Sequence, residues 1–332
     1  MEKMKNIYIV TSKNNFFGRA RYGWQSLDLK KMYYLFSKIG NVTIINIDEL
    51  LLKDFTMDDI LLVGGDPVIL QSKYHIDVLE FLKKRFNVRI FPKIELLKAH
   101  ENKGYQELLK KQLNINSLNS LYLNSIETLD KLNIKYPLVY KTITGAGGSK
   151  VQLINDLLEL KKTIKKSDKI IVSDLIKLII KKFSLSRSDF MEYKKSKRNV
   201  EPFILQPFVP NLENDFRVLC FGNRYYSSKR LNRKNDFRAS GSGKLIYEKQ
   251  PLSLIKFARK IQLKLEAQVL SLDICFDGND YHLIEFQACH FGNQTLNNSV
   301  GYYQYGQDWE YKNESSKLTE VFCQAYINSI NE

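Results

Sequence analysis

The sequence predicts an α/β protein, in which an N-terminal parallel α/β layer is followed by a larger part that mixes helices with hairpin-connected strands. Three observations predict it. Short apolar, β-rich runs alternate with helical periodicity from Asn6 to Phe91, the pattern of parallel strands joined by crossover helices. Further on, apolar runs come in neighbouring pairs split by glycine-rich or Asp-Gly-Asn-Asp turns, at 138–154 and 272–287, which is hairpin spacing. The 332 residues are 44% apolar yet contain no run of 18 apolar residues, so the chain can bury two or three cores without a membrane span.

In chain order, Asn6 to Thr11 is the first strand and Leu27 to Ile39 the first helix, with Ser26 as its N-cap. Asn41–Ile47 and Ile60–Val63 are further strands, His75–Phe86 a second helix and Val88–Phe91 a fourth strand. Ligands of such layers gather at the carboxyl ends of the strands. The connection from Asn14 to Trp24 is longer than a common βα loop. Its Arg19 and Arg21 carry the planar fork that grips a carboxylate or phosphate; packing the layer against the rest of the chain is an equal use for them. Gly64-Gly65-Asp66-Pro67 is a turn after the third strand, with a place at the same cleft as its alternative role.

Lys93 to Leu113 has helical periodicity directly after Pro92 and carries His100-Glu101-Asn102-Lys103-Gly104. Ser125–Leu132 is a short capped helix. Pro137 then opens a strand that ends in Lys141 and enters a loop with Gly145, Gly147, Gly148 and Ser149, before a second strand at Val151–Ile154. Residues without a β-carbon let backbone N–H groups approach an anion, and Lys141 adds a full charge beside them. A plain turn is the alternative for such a loop. The P-loop and Rossmann patterns are both absent, since no Gly-Lys-Ser/Thr opens a helix and no helix follows the glycines directly.

Asn155–Lys165 is a helix, and Ser173–Phe183 is amphipathic with mixed apolar and basic faces, suited to its own domain, to a partner or to a membrane surface. Phe203-Ile204-Leu205-Gln206-Pro207-Phe208-Val209-Pro210 is an apolar strand that runs into a proline-bounded connector. Asp215-Phe216-Arg217-Val218-Leu219 follows, then a cationic stretch from Lys229 to Arg238, and a helix over Leu252–Leu265. Asp273 lies in the strand Leu272–Phe276, and Glu285 and Gln287 share one face of the next strand. A hairpin at Asp277-Gly278-Asn279-Asp280 brings Asp273 opposite them. Two carboxylates and an amide oxygen are hard donors suited to Mg²⁺ shared with nucleotide phosphates. Ser316–Ile330 is a C-terminal helix.

Taken in this order, the lysine-ended strand, glycine loop, Gln-Pro-Phe-Val connector, two Asp-Phe-Arg segments and Asp…Glu-x-Gln set resemble the ATP-grasp superfamily. The chain looks most similar to the branch that holds ribosomal-protein glutamate ligases and bacterial glutathione synthetases. The resemblance implies a pre-grasp α/β domain over 1–99, one grasp lobe over 100–210 with a basic insertion at 166–200, and a second lobe over 211–332 that carries the metal site. It implies ATP with Mg²⁺, or Mn²⁺, and an ADP-forming ligase that joins a small-molecule carboxylate to an amine through an acyl phosphate. Lys103, Lys141 and the loop of Gly145, Gly147, Gly148 and Ser149 would clamp phosphates. Gln206 with the backbone of Phe208 and Val209 would face adenine, Asp215 would lie near the ribose, and Arg238 would contact ATP. Asp273, Glu285 and Gln287 would hold the metal, and Arg217 and Arg230 would stabilise charge on the acyl phosphate or tetrahedral intermediate. Gln287 stands where the family usually has Asn, as does Ser240. A phosphotransferase and a nucleotide binder without turnover are the alternatives.

Basic residues outnumber acidic ones by 51 to 36, giving +15, and the stretch 161–200 holds 13 of the basic and 4 of the acidic residues. Aromatic side chains are not interleaved with these lysines as a stacking platform requires, which argues against nucleic acid. The four cysteines have no Cys-x-x-Cys spacing and read as reduced thiols, the four histidines have no zinc-type spacing, and no nucleophile motif is present. Chemistry through a phosphorylated substrate, a cytoplasmic location and a homo-oligomer complete the expectations.

Overall fold

The computed structural model describes residues 4–18, 26–66, 68–143, 150–167, 172–196, 201–234, 236–239 and 241–331. The chain forms two compact units, residues 1–117 together with 211–332, and residues 118–210.

In the first unit, β1 (Lys5–Thr11), β2 (Gly40–Asn46), β3 (Ile60–Val63) and β4 (Arg89–Phe91) form a wholly parallel sheet in the order β2-β1-β3-β4. A parallel sheet covered on both faces needs apolar side chains in both directions, which is why all four residues of β3 are buried. Ile7, Ile9, Ile60 and Leu62 face α1 (Leu29–Phe36) and other apolar groups on one side, while Val10, Ile45, Leu61 and Val63 join Val78, Leu79 and Leu82 of α2 (Ile69–Phe86) on the other. Ser26 does not cap α1 as expected. Its hydroxyl accepts from the Phe17 N–H, and Asp28, two residues nearer the helix body, accepts from the Lys31 N–H instead.

The expected single helix over Lys93–Leu113 is two, α3 (Ile94–Ala99) and α4 (Lys103–Gln112). Glu101 between them has φ of 54°, and the Asn102 side chain accepts from the Tyr105 N–H, so an N-cap restarts the helix where apolar periodicity continues unbroken.

The rest of this unit is built on an antiparallel sheet of β9 (Asn214–Phe221), β10 (Arg224–Leu231), β11 (Leu245–Ile246), β12 (Val269–Phe276), β13 (Tyr281–Gln287), β14 (Tyr302–Tyr305) and β15 (Trp309–Lys312). The order is β13-β12-β9-β10-β14-β15, with β11 beside β10. One face carries Val218, Cys220, Leu272, Ile274, Leu283 and Phe286 into a core with α8 (Leu252–Leu265). The other face is divided. Leu219, Phe221, Tyr226 and Val269 pack with Phe322, Tyr326 and Ile330 of α10 (Leu318–Asn331) and with the parallel sheet, whereas the residues further along these strands on that face are charged.

Because β13 is an edge strand, its outward backbone groups need partners, and α4 supplies them. Lys103, Gln106 and Lys110 fall at helical spacing on one face of α4. Gln106 donates to the Phe286 carbonyl at 2.8 Å and accepts from the Phe286 N–H at 3.1 Å, and Lys110 Nζ donates to the Ile284 carbonyl at 3.1 Å. Gln106 and Lys110 are almost fully buried. The register between β12 and β13 shifts between Asp273 and Ile274, with Asp273 opposite Glu285 but Ile274 opposite Leu283, leaving Ile284 as an extra residue. That bulge lets Leu283 stay in the core while Glu285, two residues on, turns to the charged face.

The second unit is a four-stranded sheet, β5 (Leu121–Leu123), β8 (Phe203–Pro207), β6 (Leu138–Thr142) and β7 (Val151–Ile154), in that order. It is packed by Leu160 and Ile164 of α5 (Leu157–Ser167). The short capped helix expected at Ser125–Leu132 is a 3-10 turn over Glu127–Lys131. α6 (Val172–Ser184) and α7 (Arg187–Ser196) follow α5 and precede β8.

Gln106→Leu keeps the volume but leaves the N–H and carbonyl of Phe286 unpaired. It should destabilise the chain by about 2–4 kcal/mol, read as a lower urea midpoint, while Leu158→Ala on the exposed side of α5 should move it by less than about 0.5 kcal/mol.

Candidate functional site

The divided face of the seven-stranded sheet ends in a row of ionised side chains set by register. Glu285 on β13 is opposite Asp273 on β12, Asp273 is opposite Arg217 on β9, and one step away Asp215 on β9 is opposite Arg230 on β10. Arg217 holds Asp273 with two hydrogen bonds, from Nε at 2.9 Å and Nη2 at 3.1 Å. Arg230 donates to both oxygens of Asp215 at 2.6 Å and lies 2.9 Å from the second oxygen of Asp273. Only 7% of the Arg230 side chain and 14% of the Asp273 side chain are exposed.

Burial opposes charge on Asp273, but Arg217 and Arg230 outweigh it and hold the carboxyl below its ordinary range. At Asp215 burial dominates and pushes the carboxyl up against the pull of Arg230, which is itself driven further towards its charged form by Asp273 and Asp215 despite burial. Removing one partner of such a cluster strands an uncompensated charge, at a cost of about 3–5 kcal/mol.

The break between α3 and α4 brings a second set of groups to β13. Lys103 Nζ lies 3.3 Å from Glu285 Oε1, and the Gln287 amide donates to Glu101 at 3.0 Å. His100 and His290 meet through their Nε2 atoms at 3.3 Å, with ring centroids 4.3 Å apart, so one imidazole donates and the other accepts. No spacing rule could have paired two histidines 190 residues apart. Gly65 has φ of 70°, and a β-carbon there would lie 2.9 Å from Cys289 Cβ; one on Gly64 would lie 2.7 Å from the backbone of Phe17 and Gly18. The carboxyl ends of β1 and β3 therefore abut the residues that follow β13.

In the second unit, Lys141 Nζ donates to Gln206 Oε1 at 2.6 Å, both side chains being buried, because the register of β6 with β8 sets Val139 opposite Gln206 and Lys141 two residues on along the same face. Phe208 and Val209 are half-buried just beyond β8. Arg238 reaches Asp236, two residues away, through Nε and Nη2. Gly145, Gly147, Gly148, Ser149, Arg19, Arg21 and Ser240 lie outside the described residues.

Among the described residues no three His, Cys, Asp or Glu side chains are gathered as a metal cluster. The oxygen set fits a hard cation only as two carboxylates and an amide, so phosphate oxygens would have to complete the shell. Cys220, Cys275, Cys289 and Cys323 are free and buried; burial pushes the thiols of Cys220 and Cys289 well up and that of Cys323 to about 12, which suits unreactive core positions.

Comparison with solved structures returns many matches. A Chryseobacterium gregarium RiPP-associated ATP-grasp ligase in complex with ADP, a leader and a core peptide is 12% identical, with a TM-score of 0.57, and the match covers 98% of this chain and 97% of that one. A D-cycloserine synthetase is 10% identical with a TM-score of 0.55, covering 98% and 99%, and N5-carboxyaminoimidazole ribonucleotide synthetase as its ADP complex is 13% identical with a TM-score of 0.53, covering 91% and 75%. The chain has the ATP-grasp fold. Its parallel layer, its antiparallel sheets and its mixed α/β character are those of that fold. No family model matches the sequence, and no curated protein does.

The hairpin that pairs Asp273 with Glu285 is closed by Asp277, whose carboxylate accepts from the N–H groups of Asp280 and Asn279 and contacts His282 at 2.7 Å. These bonds lower its carboxyl to about 2. A depressed folded value means the contribution is complete above the unfolded value near 3.8 and is lost as pH falls towards 2. An NMR titration should show Asp277 ionised to about that pH, and Asp277→Asn should flatten the acid limb of the stability profile over this window.

Proposed function

We propose that the chain is an ATP- and Mg²⁺-dependent ligase that joins a carboxylate to an amine and releases ADP and phosphate. The observation that carries the reading is the row Glu285, Asp273, Arg217, Arg230, with Lys103 against Glu285, on a fold whose solved neighbours include a RiPP-associated ligase bound to ADP and peptides and two synthetases. The neighbour bound to leader and core peptide supports peptides among the acceptors; amino acids and acidic sugars are the other classes we retain.

A carboxylate resists attack by an amine because oxide would have to leave. Transfer of the γ-phosphoryl group of ATP to one carboxylate oxygen breaks the bond to the bridging oxygen, gives ADP and leaves an acyl phosphate. The amine then attacks the acyl carbon, loses a proton and displaces inorganic phosphate, which forms the amide. The chain's work is positioning and charge neutralisation rather than covalent catalysis. Asp273, Glu285 and Gln287 would hold the metal, which when bound neutralises phosphate charge. Lys103, Lys141 and the loop with Gly145, Gly147, Gly148 and Ser149 would meet the phosphates. Gln206 and the backbone of Phe208 and Val209 would meet adenine, with Asp215 towards the ribose and Arg238 on the nucleotide. Arg217 and Arg230 would stabilise the developing acyl phosphate or tetrahedral charge, and Arg19 and Arg21 would read an acidic substrate. On this reading 1–99 precedes the grasp, 100–210 and 211–332 are its lobes, and the protein works in the cytoplasm on small-molecule or peptide partners.

The pairing of each donor shapes the proposal. Asp273 is held by Arg217 and Arg230, Glu285 by Lys103, and the Gln287 amide turns its N–H₂ towards Glu101. Loading a metal nucleotide would let these cations exchange carboxylate for phosphate, a swap of like for like that leaves little uncompensated charge. For the same reason Asp273→Ala is a poor probe, since it strands two arginines and the fold would suffer with the chemistry.

Among the described residues Glu285 forms its ion pair with Lys103, at 3.3 Å, and its side chain is 23% exposed, so Glu285→Gln should fold normally. It should cut phosphate release by about 100-fold or more, measured in a screen of paired carboxylates and amines. A ligase releases phosphate only when both acceptors are present, and product mass should show an amide. Phosphate retained on the product would convert the reading to a kinase, and unchanged turnover in Glu285→Gln would remove the metal assignment.

A further inference from the structure

We infer that the outward face of α6 is a docking surface for an anionic lipid bilayer. Ile176, Ile179, Ile180 and Phe183 are 57%, 56%, 60% and 84% exposed. At 3.6 residues per turn they fall on one stripe about 100° wide. Leu178, on the opposite side of the helix, is buried. The helix thus buries one side and exposes its broader apolar stripe, the reverse of what packing on its own unit would require. Its 13 residues span about 20 Å of axis, and no described helix is long and apolar enough to cross a membrane. The geometry fits a helix lying in the interface with its stripe sunk among acyl chains.

Charge decides the occupant. Lys177 and Lys182 flank the stripe on its two sides, with Lys181 behind Lys177, and all three are exposed. Their long stems suit ammonium groups that stay at headgroup level while the isoleucines enter the apolar layer. The stretch 161–200 carries 13 basic and 4 acidic residues, and α7 beside it adds exposed Met191 and Lys194. An apolar stripe bordered by lysines is complementary to a surface that is apolar inside and negative outside. A nucleic acid would leave the isoleucines uncovered.

The test is co-sedimentation of the full chain with vesicles of phosphatidylcholine alone or of phosphatidylcholine mixed with phosphatidylglycerol. The protein should follow the phosphatidylglycerol vesicles and stay in the supernatant with pure phosphatidylcholine. The double substitution Ile180→Ser, Phe183→Ser should lower the partition coefficient at least about tenfold. Lys181→Gln with Lys182→Gln should lower it by a similar factor and weaken its salt dependence. Because these side chains are exposed, melting temperature should match the wild type; if the stripe variant melts early, the lysine variant alone decides. Glu285→Gln protein should bind vesicles as the wild type does, so failure of the ligase reading leaves this result untouched. Absence of binding to phosphatidylglycerol vesicles, equal binding to both vesicle types, or undiminished binding by the intact stripe variant would overturn the inference. So would a wild-type dimer that the stripe substitutions dissociate without vesicles, since a second copy would then be what covers the face.

Discussion

Asp273 sits between two guanidinium groups in a place that would otherwise forbid a carboxylate, and much of the first unit can be traced to that constraint. A charge with so little solvent survives only if its partners are aimed at it. Adjacent antiparallel strands do the aiming: the β9–β12 register sets Arg217 directly across from Asp273, and the β9–β10 register brings Arg230 within reach of both Asp215 and Asp273. A slip of one residue in either pairing would exchange these charges with Phe216, Val218 or Leu272 and drive them into the core shared with α8. The buried cluster therefore penalises every wrong register strongly while contributing modestly to net stability.

The same reasoning explains why one face of the sheet changes character along its strands. Where Leu219, Phe221, Tyr226 and Val269 meet the parallel sheet and α10, water is excluded by apolar packing. Two residues earlier along β9, Arg217 replaces the apolar row, and the face becomes a row of paired charges rather than an apolar interface. The bulge at Ile284 and the clasp from Gln106 and Lys110 are the devices that hold the edge strand at this transition. They fix Glu285 on the charged side and carry Lys103 over it, so the same helix that covers an exposed edge also delivers a cation to the site.

The parallel layer was legible because Ile60–Val63 must be apolar in both directions, and α8 because Leu254, Ile255, Ala258, Ile261 and Leu265 recur at helical spacing. That Asp273 and Glu285 belong to one hairpin was legible from alternation and the Asp-Gly turn, but their direct pairing was not, since an unbroken register from a turn over 277–280 would set Ile284 across from Asp273. What was not legible depended on contacts distant in sequence. The break at Glu101 is hidden because Leu96, Leu97, Leu108 and Leu109 keep helical spacing across it, and only the restart at Asn102 betrays it. Ser26 and Asp28 are both good caps, and the choice of Asp28 follows from the Phe17 N–H claiming the Ser26 hydroxyl. Ile284 resembles its neighbours, so nothing local marks the bulge, and β14 and β15 are rich in tyrosine rather than aliphatic side chains.

The basic surplus divides in the same physical terms. Lysines of the first unit such as Lys103 and Lys110 are buried against carboxylates and carbonyls, and their charge is used up locally. The lysines of α6 are arranged differently: they are exposed beside isoleucines that are equally exposed, on a helix whose only acidic residue is Asp174. Exposed charge and exposed apolar surface are each tolerable in water alone. Side by side on one helix they demand a surface that satisfies both, and an anionic bilayer does so without needing a complementary fold.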